Sequence, residues 1–174
     1  MKDAINKATI IAFFIGGVLG GAAGGVAGFG LGIYYLPILV EAEGATTREV
    51  KTATKAANYK TNFRRDLKGS DSLHWGEGTL YLGREIGGQY YFTLDGQVSP
   101  GPDYKLYLAP RFVETEADFL AIKAQSVRVA DINGFTNFRV SVPMSIDPTQ
   151  YEAVVVWCET FSQFITAGTL RQTN

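Results

Sequence analysis

The chain is poor in the two residue types that most often build redox and metal centres. Among 174 residues it has one cysteine, Cys158, and one histidine, His74. A single thiol excludes an intrachain disulfide, a Cys-x-x-Cys redox pair and a Cys-x-x-Cys-His attachment site for covalent haem. One cysteine and one histidine are also too few for the four ligands of a zinc site within one chain, so no metal site is expected.

The chain also lacks an excess of charge of either sign. Sixteen basic and seventeen acidic residues leave a formal net charge of −1. This balance gives no electrostatic footprint for nucleic acid, which we therefore do not expect as a partner. One histidine and scattered acids give no recognisable hydrolytic arrangement, so hydrolysis is not expected either.

The N-terminal region is apolar, and residues 8–40 contain no charged side chain. At about 1.5 Å of rise per residue, this stretch exceeds the roughly 30 Å hydrocarbon core of a bilayer. It predicts a membrane anchor in residues 1–40 with one glycine-rich transmembrane helix at about residues 10–34. Tyr34 and Tyr35 are then expected near the far interface.

Two features bear on how the anchor ends. Pro37 is expected to close the helix, because proline lacks the amide hydrogen that a helix interior needs. A cleaved signal peptide is the alternative, since Lys2 and Lys7 form a basic start and small residues flank Glu41. Its apolar core would, however, be about twice the usual length, which favours an anchor that is not cleaved.

Glycines recur at every fourth position of the anchor. One row consists of Gly16, Gly20, Gly24, Gly28 and Gly32, and a second has residues 17, 21 and 25. A spacing of four aligns each row on one helix face and lets another backbone approach closely. The rows predict self-association in the membrane, and a glycine-rich helix that merely spans the bilayer is the alternative.

Basic residues lie on both sides of the anchor and leave its orientation undecided. Lys2 and Lys7 precede the helix. Four others follow it: Arg48, Lys51, Lys55 and Lys60. The count alone would place the C-terminal part in the cytoplasm.

The rest of the chain divides into a linker and a β domain. Residues 41–58 have only one large apolar residue, Val50, and are predicted to form a tether or a short exposed helix. Residues 59–174 are predicted to form an all-β, antiparallel sandwich or barrel-like domain of about eight strands. The predicted strands are 59–67, 78–83, 89–94, 104–108, 126–130, 136–142, 153–158 and 166–170, with one short helix at 115–124.

The strand that contains the cysteine is apolar on both sides. Alternation places Ala153, Val155 and Trp157 on one side with Tyr151. The other side has Glu152, Val154, Val156 and Cys158. This pattern predicts a central strand covered on both faces.

Two loops are dense in turn-forming residues and are the candidate binding loops. The first, residues 69–78, contains Asp71, His74 and Trp75, and the second contains Gly101, Pro102 and Asp103. Rigid loops on a β scaffold often bind ligands or partners, although they also simply connect strands.

Three motifs together resemble the DM13 domain. They are Gly69-x-Asp-x-x-His-x-Gly-x-Gly-Thr79, Gly101-Pro-Asp-Tyr-Lys-Leu-Tyr107, and Val156-Trp-Cys158 followed by Phe161 and Phe164. The resemblance covers about residues 59–170. It implies an extracytoplasmic, all-β domain with a part in electron transfer, whose cysteine acts as a redox thiol or as a ligand to a group such as haem.

The resemblance assigns that role to Cys158 and favours a C-terminal domain outside the cytoplasm, periplasmic or extracellular. Because one domain follows one helix, any redox partner is a separate chain. For a noncovalent haem, His74 and Met144 are further candidate ligands, and Trp75 and Tyr107 could line its pocket. The cofactor stays unassigned. Calcium at Asp71, Asp95 and Asp103 is not expected, since no calcium-loop pattern is present.

Two functional hypotheses follow. The first is a membrane-tethered electron-transfer or thiol-redox accessory protein, rather than a stand-alone enzyme, that acts through Cys158. The second is a noncatalytic binding module of the cell envelope that uses the two loops and has Cys158 as a buried core residue. Glu159 favours the second hypothesis, because its charge opposes ionisation of the neighbouring thiol.

Overall fold

The computed structural model describes residues 7–173, except for the side chain of Tyr34. The described chain divides into two compact units, and the division lies between Leu36 and Pro37. Lys2, part of the basic start noted above, lies outside the described residues.

The first unit is the greater part of helix α1, Lys7–Leu39. The stretch Lys7–Ile33 is long and apolar enough to cross a membrane, with a mean hydropathy of 2.0. Pro37 was expected to close the helix but lies inside it, two residues before its end. A proline so close to the last turn removes one backbone hydrogen bond and stops the helix less than a turn later.

The glycine rows of α1 are open in the single chain. A Cβ atom built on any glycine of either row meets no atom within 4 Å beyond its own helix. The expected self-association stays a prediction. Cross-linking of the full chain in native membranes tests it: Gly24→Ile should reduce the cross-linked product, whereas Gly30→Ile, which lies off both rows, should not.

The second unit is a two-layer antiparallel β sandwich, as predicted. Its elements are α2 Thr47–Ala56, β1 Ala57–Phe63, β2 Gly76–Arg84, β3 Tyr90–Val98, β4 Tyr104–Ala109, α3 Glu116–Leu120, β5 Val127–Ile132, β6 Arg139–Ser141, β7 Ala153–Cys158, β8 Gln163–Thr169 and β9 Arg171–Gln172. One sheet has the order β6-β3-β2-β1-β9 and the other β5-β4-β7-β8. All eight predicted strands are present, and β9 is an additional strand of two residues.

Strand ends differ from the predictions where turn-forming residues lie within a ladder. β3 continues to Val98, past the predicted end at Leu94, because Gly96 pairs directly with Gly78 of β2. β1 ends at Phe63 rather than Leu67, which lies in the following turn. The predicted helix 115–124 is split into α3, capped by the Thr115 side chain, and a 3₁₀ turn at Lys123–Gln125.

Hydrophobic residues form two buried clusters on the two faces of the second sheet. The inner cluster fills the space between the sheets and includes Val154, Val156 and Cys158 of β7. The outer cluster lies beneath α3 and includes Ala153, Val155 and Trp157 of the same strand. Every residue of β7 is buried, which confirms the prediction of a central strand covered on both faces.

The predicted linker contacts the sandwich. The Glu41 carboxylate accepts hydrogen bonds from the backbone amides of Phe135 (2.7 Å) and Thr136 (3.2 Å). Thr46 and Glu49 form a reciprocal capping box at the start of α2. Val50 is the buried residue of this helix, so of the two alternatives the short helix is the one observed.

A pair of facing glycines in β2 and β3 offers a test of the sandwich. Gly78 has a φ of 109°, and a Cβ atom there would lie 2.2 Å from the Asp95 carbonyl oxygen. We expect Gly78→Ala to lower the free energy of unfolding by about 3 to 4 kcal/mol, because positive φ and a backbone clash add. Denaturant titration of the full chain in detergent, followed by tryptophan fluorescence, measures the loss.

Gly87→Ala is the matched control. Its φ of 103° is similar, but no atom lies within 4 Å of the added Cβ. It should cost only about 1 to 2 kcal/mol. Equal losses in the two variants would show that the close approach of β2 and β3 is not needed.

Candidate functional site

Cys158 is the last residue of β7 and pairs with Tyr104 of β4 and Gln163 of β8. The residue is 2% exposed. Its Sγ atom donates a hydrogen bond to the Pro102 carbonyl oxygen at 3.0 Å, as a protonated thiol does. Burial raises the pKa of this thiol and the charges of Asp103 and Glu159 add to the rise, although backbone hydrogen bonds from Phe161 and Thr160 oppose it. The resting thiol is therefore neutral and shielded.

The shield over Cys158 is the loop of residues 99–103, and Asp103 holds it in place. The Asp103 carbonyl oxygen accepts a hydrogen bond from the Glu159 amide at 3.2 Å, and its carboxylate accepts one from the Thr160 hydroxyl at 3.0 Å. Lys105 lies 2.6 Å from the same carboxylate and holds the pKa of Asp103 below its usual value. The loop is thus fastened to the two residues that follow the cysteine.

Gly101 is required in this loop by the ring of Tyr104. A Cβ atom at Gly101 would lie 2.2 Å from the Tyr104 hydroxyl oxygen. Burial raises the pKa of Tyr104 to about 12, although a hydrogen bond with Ser99 opposes the shift. Tyr104 is therefore a neutral phenol packed between the loop and the inner cluster.

The two candidate binding loops lie side by side. Ser99 donates its amide to the Trp75 carbonyl oxygen at 2.9 Å, and the Ser99 hydroxyl accepts from the Trp75 amide at 3.3 Å. Asp71 caps its own loop by accepting from the His74 amide at 2.8 Å and lies 3.0 Å from His74 Nδ1. The Arg65 guanidinium stacks on Trp75, 3.3 Å from the ring centroid. The structure thus brings the loops together.

A network of charged side chains surrounds the site and was missed by sequence reasoning. Glu159 accepts hydrogen bonds from the Tyr107 hydroxyl and from Lys123 Nζ, the latter at 2.6 Å. Burial opposes its ionisation, but these two donors hold the pKa of Glu159 below its usual value. Lys105, buried in β4, bridges to Asp131 at 3.3 Å. The sequence did offer one sign of this network, because a lysine within the apolar run of β4 needs an acidic partner when it is buried.

The residues proposed as haem ligands and pocket walls do not converge. Tyr107 belongs to the outer cluster, on the opposite face of the sheet from Cys158. His74 lies in a loop with its Nδ1 next to Asp71, which leaves Nε2 as its candidate ligand atom, and Met144 is 70% exposed in the segment after β6. The sulfur of Cys158 packs against a loop carbonyl and apolar side chains. This arrangement does not fit a haem.

No group of three or more His, Cys, Asp or Glu side chains in residues 7–173 is placed to hold a metal ion. Two of the three acids weighed for calcium have other partners. Asp71 caps its loop and Asp103 pairs with Lys105.

Comparison with known proteins identifies one match. The family model described as "Electron transfer DM13" matches residues 62–170, which include Cys158 and both loops. No curated protein matches the chain, and no solved structure does.

The contacts of Asp103 generate a prediction for thiol reactivity. In Asp103→Asn, the loop loses its ion pair with Lys105 and the thiol loses a nearby negative charge. Both changes should make Cys158 react faster with an aromatic disulfide probe. If together they lower the free energy of loop opening or thiol ionisation by roughly 1.4 kcal/mol, the rate should rise about tenfold. Stopped-flow absorbance on the full chain in detergent measures the rate between pH 7 and pH 9.

Asp131→Asn is the control, because it removes a second acid from Lys105 without touching residues 159–160. It should leave the rate near that of the unaltered chain. If Asp103→Asn reacted at the same rate as this control, the Asp103 carboxylate would not be what holds the loop over Cys158.

Proposed function

The chain belongs to the DM13 family, and from that premise we propose that it is a membrane-tethered electron-transfer accessory protein in which the Cys158 thiol carries the chemistry. The family supports the electron-transfer role. The assignment to Cys158 rests on one observation, that a surface loop covers its sulfur. The sulfur lies at the end of β7 and donates a hydrogen bond to the carbonyl oxygen of Pro102, which belongs to a loop. The backbone of Thr160 and Phe161 also hydrogen-bonds to it. Displacement of the loop that contains Pro102 gives a partner access to the sulfur.

The proposed step is thiol–disulfide exchange with a disulfide of a separate protein. Cys158 gives its proton to solvent, and its sulfur attacks one sulfur of the partner disulfide. A new disulfide bond joins Cys158 to the partner, the original bond breaks, and the leaving thiolate takes up a proton. The partner disulfide is the oxidant, so atoms and electrons balance without a further reagent.

The geometry favours a thiol over a haem ligand. A thiolate that ligates iron needs open space beside the sulfur and a stabilised negative charge. Cys158 is 2% exposed, and burial raises the pKa of its thiol even though backbone hydrogen bonds from Phe161 and Thr160 oppose the rise. Exchange needs only a transient thiolate in an opened state, which the residues of this site can supply.

The test is to trap the mixed disulfide in native membranes. Rapid acid quenching with a thiol-blocking reagent should preserve an adduct of the chain that disappears on reduction and is absent from Cys158→Ser. Cys158→Ser should fold normally, since serine is nearly isosteric and its hydroxyl can keep the bond to Pro102. A Soret band in the purified full chain that Cys158→Ser abolishes would sink the thiol proposal in favour of a haem.

We also propose that α1 is an anchor that is not cleaved and that the sandwich lies outside the cytoplasm, periplasmic or extracellular. Family membership supports this side, and the apolar length of α1 supports the anchor. In a Cys158→Ser background, a membrane-impermeant maleimide added to intact cells should label Met144→Cys, which is highly exposed. Lys7→Cys, at the first residue of α1, is the control. Labelling of Lys7→Cys alone would reverse the orientation.

A noncatalytic envelope-binding module is the second candidate function, and one observation favours it. Cys158 is 2% exposed with a raised pKa, as a packing residue would be. In that case the paired loops around His74 and Pro102 would bind the partner. Full function in Cys158→Ala, with loss on replacement of Trp75 or Pro102, would select this candidate.

A further inference from the structure

A groove runs along the side of the sandwich where β1 and β8 approach each other. Its volume is about 530 Å³, and its lining includes the basic residues Lys60, Arg64 and Arg171, the buried Leu67 and the partly buried Phe112. β8 is the edge strand of its sheet, and β9 covers β1 only at two residues. The groove therefore lies along strand edges that present backbone donors and acceptors.

Position 168 of β8 has no room for a side chain, because β1 lies too close to it. A Cβ atom at Gly168 would lie 2.1 Å from the Thr61 hydroxyl oxygen. Glycine at this position therefore keeps β1 and β8 in contact, and both Thr61 and Gly168 line the groove.

The charges of the groove are not balanced. Its lining includes three basic residues and no acidic residue, although the chain as a whole has a net charge of −1. Arg64 has a partner in Asp66, at 3.5 Å, which is exposed and outside the lining. By contrast, the buried cation near the cysteine, Lys105, lies between two carboxylates.

A second observation points to a ligand. Lys60 of β1 and Arg171 of β9 are direct cross-strand partners. Like charges opposite each other in an antiparallel pair lower stability. Without a ligand, this pairing therefore destabilises β9, a strand of only two residues. An anion between the two side chains would reverse this effect, because it can accept hydrogen bonds from both.

We propose that this groove binds an extended phosphate-bearing polyanion, a role separate from the thiol chemistry of Cys158. One phosphate lies between Lys60 and Arg171. A second lies at Arg64, which directly follows the last residue of β1. Arginine suits this contact because its guanidinium donates two parallel hydrogen bonds to phosphate oxygens.

The test is titration calorimetry of the full chain in neutral detergent with inorganic phosphate and with short-chain polyphosphate. Polyphosphate should bind more tightly than phosphate, and more weakly as salt is raised. Lys60→Gln and Arg171→Gln should each weaken polyphosphate binding by about tenfold, the cost of roughly one charge-assisted hydrogen bond. Lys51→Gln and Lys55→Gln, exposed basic residues of α2, are matched controls and should leave binding unchanged.

A stability measurement separates this proposal from simple protection of a strand edge. Without ligand, Arg171→Gln should raise the thermal midpoint, because it relieves repulsion, and polyphosphate should stabilise the unaltered chain more than the variant. Equal weakening by the α2 controls would mean attraction by general charge and would overturn the proposal. Binding of anionic lipid vesicles without binding of polyphosphate, or equal affinity for phosphate and polyphosphate, would overturn it too.

Discussion

The burial of β7 on both faces is the constraint on which the site depends. Because β4 and β8 occupy both edges of this strand and hydrophobic clusters occupy both faces, β7 cannot shift its register without exposing one apolar set. Its last residue is therefore fixed in position, and the sulfur of Cys158 points into the inner cluster. The loop carbonyl of Pro102 and the backbone of Thr160 and Phe161 in the following turn are its polar neighbours.

Sequence patterns predicted the strands well and the contacts between loops poorly, for a physical reason. Alternation in β7 is local, so the sequence alone assigns Val154, Val156 and Cys158 to one face. The bond between Trp75 and Ser99, by contrast, joins residues 24 positions apart whose meeting depends on the pairing of whole strands. The same dependence hides the opposition of Lys60 and Arg171, which lie 111 positions apart in the chain and meet only because β9 returns to β1.

Compensated and uncompensated charges divide the sandwich into two kinds of surface. Around the cysteine, Asp103, Asp131 and Glu159 each have a cation within 3.3 Å, so their charges are largely cancelled locally. Paired charges of this kind stabilise a geometry more than they attract a ligand. The lining of the groove between β1 and β8 has no acidic residue, and its cations Lys60 and Arg171 lie opposite each other. The near-zero net charge of the chain conceals this contrast, which is why composition excluded a global field but not a local one.

The backbone of Asp103 has a consequence for how often the thiol is uncovered. Its φ of 56° is left-handed, a conformation that costs a residue other than glycine about 1 kcal/mol. The closed loop therefore stores a small strain that opening releases. The contacts of its carboxylate with Lys105 and Thr160 oppose that release. The free energy needed to uncover the sulfur is therefore the strength of these contacts less the strain of the left-handed backbone, and both belong to the same residue.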